Sequence, residues 1–356
     1  MIILGDIAAP SEASGKLIAD FFADHTELFS DQSVLFNLEG LISDHQDANN
    51  NSPILFNHSA VLKSFDGYVE KVAALANNHT LDLPHLLQST KQMLAERGFK
   101  SVGAGNTRDA DFQVTEIRED NHRVLIINAC WDFLLYHQNN KNSEVRVNVI
   151  DEFAILRFVR KVRAEDPDCR ILTYFHWSFD LEIIPSPSYR VFAKDLIDAG
   201  VSLVVGGHSH CVQGGEKYKN GYIVYGLGNF YLPSGIYANG KLSFPSMSDL
   251  GWALKWKVGT NELENIWVDS SSNQLKLVTA DAFEHSEELR KYSGYAGLTD
   301  QEYVVYFKTH RRKRKITPTF YNYEQSLSNR IKMRLLKSRA RIARLAAKLN
   351  LIGWQN

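Results

Sequence analysis

Short apolar runs alternate with amphipathic stretches through the first two thirds of the chain. Met1–Asp6 and Ser33–Asn37 read as strands, and Ser11–Asp24 between them as a helix with apolar positions at Leu17, Phe21 and Phe22. Tyr68–Ala76 predicts a third strand, followed by a helix from about Leu83 to Arg97 that Gly98 closes. Arg123–Ala129, Arg170–His176 and Val201–Val205 are apolar runs of strand length. Glu152–Glu165 and Tyr189–Ala199 have helical spacing. Gly221–Tyr225, Trp252–Val258 and Leu263–Val268 have an antiparallel character. The pattern predicts an α/β core with mixed sheets and helices outside. Residues 281–325 give no clear period and are expected to be irregular. Residues 326–356 predict a basic amphipathic helix.

The polar residues that follow these runs are not ordinary turn residues. Met1–Leu4 delivers Gly5-Asp6, and Val34–Phe36 delivers Asn37-Leu38-Glu39-Gly40. Val72–Ala76 delivers Asn77-Asn78-His79, Ile171–Phe175 delivers His176-Trp177, and Val201–Val205 delivers Gly206-Gly207-His208-Ser209-His210. In open α/β sheets ligands bind beyond the carboxyl ends of the strands. Carboxylate, amide oxygen and imidazole together suit a divalent ion such as Mn, Fe or Zn. Each piece alone has a bland reading: Gly-Asp as a turn, His-x-His as a polar loop, Glu39 as a solvated charge, His176 as a satisfied core histidine. Five such strand ends in one chain favour a metal site.

The ordered set Gly5-Asp6, Asn37-Leu38-Glu39-Gly40, Ala76 to Asp82, Gly103-Ala104-Gly105, His176-Trp177, Gly207-His208-Ser209-His210 and Tyr225 to Phe230 resembles the bacterial capsule synthesis protein CapA family, within the calcineurin-like metallophosphoesterase superfamily. The resemblance covers roughly residues 1–258. It implies a four-layered α/β/β/α sandwich, here over residues 1–280, with a C-terminal basic helical extension lying outside it. It also implies a centre of two divalent metal ions. Asp6 and His210 would hold the first, Glu39 would bridge, and Asn78, His176 and His208 would hold the second. His79 would act as general acid or phosphoryl hydrogen-bond donor, and the substrate would be a phosphorylated saccharide or polymer. Two positions depart from the pattern. Ala8 stands where the superfamily commonly has a histidine, which leaves the first ion with three protein ligands, so that it either binds weakly with water in the gap or the site works with one tight ion. Ser178 stands where the family usually has glycine.

Charge and composition narrow the remaining readings. Residues 1–307 hold 26 Lys and Arg against 40 Asp and Glu, whereas residues 308–356 hold 14 Lys and Arg against one acid, Glu324. An acidic body argues against nucleic acid as a partner, and the basic tail can meet either that body or an anionic membrane surface. Three scattered cysteines make no disulfide framework. With no apolar run long enough to span a membrane and no signal-peptide pattern after Met1, a cytoplasmic place is expected, with the tail able to bring the chain to the inner membrane face. Arg190 is expected on a solvated helix face, Cys211 as a buried thiol, and Asn229 as a hydrogen-bond partner of a ligand loop. His58 and His137 lie outside the catalytic set. The readings carried forward are a metal-dependent phosphoester hydrolase of capsule or surface-polysaccharide production, a non-catalytic polymer- or partner-binding protein, and a peptide or polyglutamate hydrolase.

Overall fold

The computed structural model describes residues 1–46, 54–106, 112–135, 144–312 and 317–348. His137, part of the basic block after Arg312, and the tail beyond Lys348 lie outside the described residues. Fourteen strands make two large sheets. The first contains β1 (Ile2–Ile7), β2 (Val34–Leu38), β3 (Lys71–Ala74) and β4 (Phe99–Val102) in parallel order, with β11 (Asn229–Tyr231) also beside β1. Antiparallel β12 (Leu250–Lys257), β13 (Glu262–Asp269) and β14 (Lys276–Ala282) extend it on the other side of β1. The second runs in the order β9 (Val212–Tyr218), β10 (Gly221–Leu227), β8 (Leu203–Gly207), β7 (Arg170–His176), β6 (His122–Cys130), β5 (Val114–Glu119), and its four central strands are parallel.

Alternation along the strands builds three apolar layers. Ile3, Leu35 and Val72 of the first sheet meet Ile126, Leu172 and Val205 of the second. On the opposite face Ile2, Leu4 and Phe36 pack under helix α1 (Glu12–Asp24) and α2 (Leu87–Glu96). Leu125, Ile171 and Ile223 pack under α3 (Glu152–Glu165) and α4 (Pro187–Ala199). The order is therefore α/β/β/α. Parallel strands covered on both faces read as continuous apolar runs, which is why these strands stood out in the sequence.

The helices begin and end where their capping residues dictate. Ser11 Oγ accepts from the Ser14 N–H at 3.2 Å, and Asp151 Oδ1 from the Ala154 N–H at 2.9 Å. Gly200, at φ 113°, closes α4 in the left-handed region.

Three expectations change. Residues 281–325 contain two helices, α5 (Glu287–Tyr292) and α6 (Asp300–His310), which a hydrophobic count misses because both are short and each packs through a few residues, Leu289 and Tyr292 on α5 and Tyr303 and Phe307 on α6. Arg190 is not solvated. It is 1 % exposed, with Nε 2.8 Å from Glu216 Oε1 and Nη2 2.9 Å from Oε2, and its Nη2 also donates to Leu298 O at 2.7 Å. The basic helix α7 (Leu327–Lys348) neither extends away nor hides all its apolar residues: Met333 and Leu336 pack on the body while a second set faces out.

Candidate metal centre

Strand register brings the polar residues together. Asp6 is level with Asn37 on β2 and with Asn229 on β11, and the register shifts between Leu4 and Asp6 along β2 and between Asp6 and Ile7 along β11. His176 on β7 is level with Gly207, the last residue of β8, so His208 follows beside it. Gly206 allows the neighbouring strand and Trp177 to come close: a Cβ there would lie 2.0 Å from Tyr225 O and 2.2 Å from Trp177 Nε1. Tyr174 spans the two sheets near this end, donating its hydroxyl to Leu4 O at 3.1 Å.

All seven residues expected at the site converge. Asn37 Nδ2 donates to Asp6 Oδ1 at 2.8 Å and to Glu39 Oε2, which fixes the two buried carboxylates side by side. The His208 N–H donates to the other Asp6 oxygen at 3.1 Å, and His210 Nδ1 is 3.8 Å from that same oxygen. His176 Nε2 is 2.8 Å from Asn78 Oδ1, 3.1 Å from His208 Nδ1 and 3.5 Å from Glu39 Oε1. His79 Nε2 lies 3.7 Å from Glu39 Oε1, on the more open side, with 15 % of its side chain exposed. Asn229 Oδ1 meets His210 Nδ1 at 2.9 Å, the role expected of it. Cys211 is buried, as expected, its thiol 3.2 Å from Glu182 O.

The sequence reading missed four contributors. Asn37 and Asn77 form a relay in which Asn77 Nδ2 donates to Asn37 Oδ1 at 3.0 Å and to Leu38 O at 2.8 Å. Asp82 Oδ2 stands 2.6 Å from His79 Nδ1, three residues along one short turn. Asp180 Oδ1 stands 2.9 Å from His208 Nε2. The signal for Asp82 was the i, i+3 spacing from His79. For Asp180 it was only an acid four residues after His176.

The electrostatics follow from burial and from these neighbours. Burial pushes the Glu39 carboxyl well above its ordinary range, and the Asp6 charge beside it adds to the push. Burial drives His176 well below an ordinary histidine, with His208 and His210 pushing the same way. Burial also lowers His210. His79 behaves differently. Burial lowers it, but Asp82, Glu39 and Asp180 outweigh burial and raise it to about 9. His208 and His210 adopt left-handed backbone, φ 81° and 55°, as does Ser178 at 79°. Strain of this kind persists where surrounding structure over-determines it, and the position of Ser178 is one that glycine would occupy without cost.

Among the described residues, the ion pairs that Asp6 and Glu39 make are all with histidines. Glu39 Oε1 is buried with no hydrogen-bond partner, between His79 and His176. Two groups have ligand atoms within 4.8 Å of one another: Asp6, Glu39 and His176, and Asp180, His208 and His210. Buried carboxylates beside the lowered imidazoles of His176 and His210 and the amide oxygen of Asn78 fit divalent cations, because a cation supplies positive charge to buried acids.

A family model described as "Bacterial capsule synthesis protein PGA_cap" matches residues 3–234. Over 169 residues the chain is 42 % identical to the capsule biosynthesis protein CapA of Bacillus anthracis, which covers 46 % of this chain and 40 % of that protein. Over 217 residues it is 25 % identical to a Mycobacterium tuberculosis protein named "Probable polyglutamine synthesis accessory protein", covering 55 % of this chain and 54 % of the relative. The chain spans about half the length of the curated relatives it matches. Among solved structures, the calcineurin-like phosphoesterase YfkN of Bacillus subtilis aligns with 86 % of this chain and 98 % of its own, at 13 % identity and a TM-score of 0.37.

Proposed function

The chain belongs to the bacterial capsule synthesis protein family PGA_cap, and from that premise we propose that it is a metal-dependent phosphoester hydrolase acting in capsule or surface-polysaccharide biosynthesis. The observation that carries the reading is the arrangement around Glu39: a buried, unsatisfied carboxylate oxygen 3.5 Å from His176 and 3.7 Å from a His79 that Asp82 keeps protonated. Asp6, Glu39, Asn78, His176, His208 and His210 are the residues that would hold two divalent ions, with Asp180 a further carboxylate beside His208. When bound, such ions activate water and neutralise phosphoryl oxygens.

The residues of the chain supply the rest. Asn37 holds Asp6 and Glu39 side by side through its amide N–H groups, and Asn77 holds Asn37. Asn229 orients His210 through Nδ1 and leaves Nε2 for a ligand. His79, raised to about 9, carries its proton at neutral pH and can donate it from Nε2 to a leaving alkoxide. Its partial exposure gives a substrate access to that nitrogen.

Metal content of the purified chain, measured together with hydrolysis of an aryl phosphate, tests the reading. Bound divalent metal with turnover that chelation abolishes is expected. Metal-free protein without turnover would leave the fold as a binding module. Because one relative is named for polyglutamine synthesis, γ- and α-linked glutamyl amides belong in the same substrate panel. Turnover of amides alone would move the chemistry from phosphoester to peptide.

A further inference from the structure

Helix α7 carries two apolar stripes on opposite sides. The inner one is Met333 and Leu336, which pack with the layer that contains Phe320. That side is pinned by Lys337 Nζ, 2.6 Å from Asp132 Oδ2, and by Asn329 Nδ2, which donates to Asn322 O at 3.0 Å and Glu324 O at 2.9 Å. The outer stripe is Leu327, Ile331, Leu335 and Ile342, which remain 69, 48, 58 and 66 % exposed. At 100° per residue these four fall within an arc of roughly 80°, centred well away from Leu336. Arg330, Arg334 and Arg341 border the arc on one side and Arg339 on the other, all exposed. From Leu327 to Lys348 the helix has eight Lys and Arg and no acid.

We propose that α7 is an interfacial helix that seats the folded protein on an anionic lipid bilayer, with Leu327, Ile331, Leu335 and Ile342 entering the acyl boundary and the bordering arginines meeting lipid phosphates. Charge decides the occupant. A second α7 would be repelled by its own kind of charge. A nucleic acid would use the arginines but would leave four aliphatic side chains in water. An anionic bilayer satisfies both the stripe and its borders. No helix among the described residues is long and apolar enough to cross a membrane. The anchored inner stripe removes the need for the tail to detach from the acidic body, since the outer face is already presented. The seat also lies near the metal centre: Asp132 follows Trp131, whose N–H donates to His176 O at 2.9 Å.

The test is co-sedimentation of the full chain with phosphatidylcholine vesicles, with and without about 30 % phosphatidylglycerol, at low and moderate salt. The triple variant Ile331→Ser, Leu335→Ser, Ile342→Ser keeps the charge and alters only exposed positions; its far-UV spectrum and melting curve check the fold. Binding to the anionic vesicles alone, weakened at least about tenfold in the triple variant and also in Arg334→Gln, Arg341→Gln, is the expected result. Three results would overturn the proposal. One is absence of binding to anionic vesicles at low salt. A second is equal binding by the wild type and the triple variant, with single-stranded RNA competing equally for both. The third is concentration-dependent self-association, without lipid, that the triple variant loses.

Discussion

His79 Nδ1 sits 2.6 Å from Asp82 Oδ2, and this contact sets the charge on the imidazole. The same Asp82 oxygen accepts from the Leu55 N–H at 3.0 Å, so the carboxylate is held in place before the histidine meets it. Burial alone would make His79 neutral. Asp82, with Glu39 and Asp180 behind it, reverses that and holds the proton up to about pH 9.

Asp82→Asn should therefore lower the His79 titration well below about 9 in the metal-free protein, because burial remains while the foremost opposing charge is gone and only Glu39 and Asp180 still raise it. The sign for stability follows. A histidine raised in the folded state stabilises fully below its unfolded value of 6.5, and that contribution disappears as pH rises through 9. The wild type should thus lose its advantage over Asp82→Asn between those values. NMR titration of the His79 ring gives the first result and urea midpoints across the range give the second. An unmoved His79 titration would refute the role given to Asp82.

Metal binding and proton donation should separate by residue. His79→Ala should keep its metal and lose about 10²- to 10⁴-fold in turnover, the usual worth of a general acid. His208→Ala should lose metal as well. Asp180→Ala should weaken metal affinity about 10- to 100-fold, the range for a group that ligates weakly or orients a ligand. Calorimetric titration with Mn or Zn, run beside the activity assay, reads both quantities. If His79→Ala loses metal as His208→Ala does, His79 is a ligand and the division of labour is wrong.

The strand ends were legible because β1, β2, β3, β7 and β8 are buried on both faces, so the apolar run stops where the chemistry begins. Asp6, Glu39, His176 and His208 could be found that way. Asp180 could not: it lies in a loop, and only the fold brings it to His208. Asn37 was hidden differently. It ends a strand as Asp6 does, but an amide that holds two carboxylates leaves no periodic mark. Arg190 looked like a solvated helix residue because its partners, Glu216 and Leu298, are far along the chain. Long-range pairing of polar groups is the information that local pattern lacks.

Arg190 leads to a stability prediction. Its guanidinium makes a two-point contact with Glu216, which also accepts from the Tyr225 hydroxyl at 2.7 Å, and it lies over the Tyr303 ring at 4.7 Å. It ties α6 to the second sheet. Arg190→Ala would strand the buried Glu216 charge and should cost about 3–5 kcal/mol. Arg190→Met with Glu216→Gln, which removes both charges, should cost clearly less. Urea unfolding of the two proteins makes the comparison. Equal losses would mean that packing, rather than the stranded charge, sets the cost.

Glu152, at the start of α3, gives a pH dependence of the same sign as that of His79, in a lower pH window. Its carboxyl helps line a cavity of about 170 Å³ with Trp131, Tyr189, Tyr323 and Met333. Burial there raises it from 4.5 to about 7, with Asp151 adding to the shift and its own N–H opposing it. The folded state thus binds this proton more tightly than the unfolded chain. Its stabilising contribution is complete below 4.5 and is lost as pH rises through 7. Above pH 7 the charged form is held in a site that disfavours it, at a cost of about 3 kcal/mol on the linkage scale. Glu152→Gln removes the titration and keeps the shape. Its stability should match the wild type near pH 4.5 and exceed it near pH 8 by about that amount. Urea midpoints of the two proteins at several pH values isolate this one group, because every other titration is shared. A difference that stays constant across the range would mean that Glu152 ionises in the folded protein as freely as in the unfolded chain.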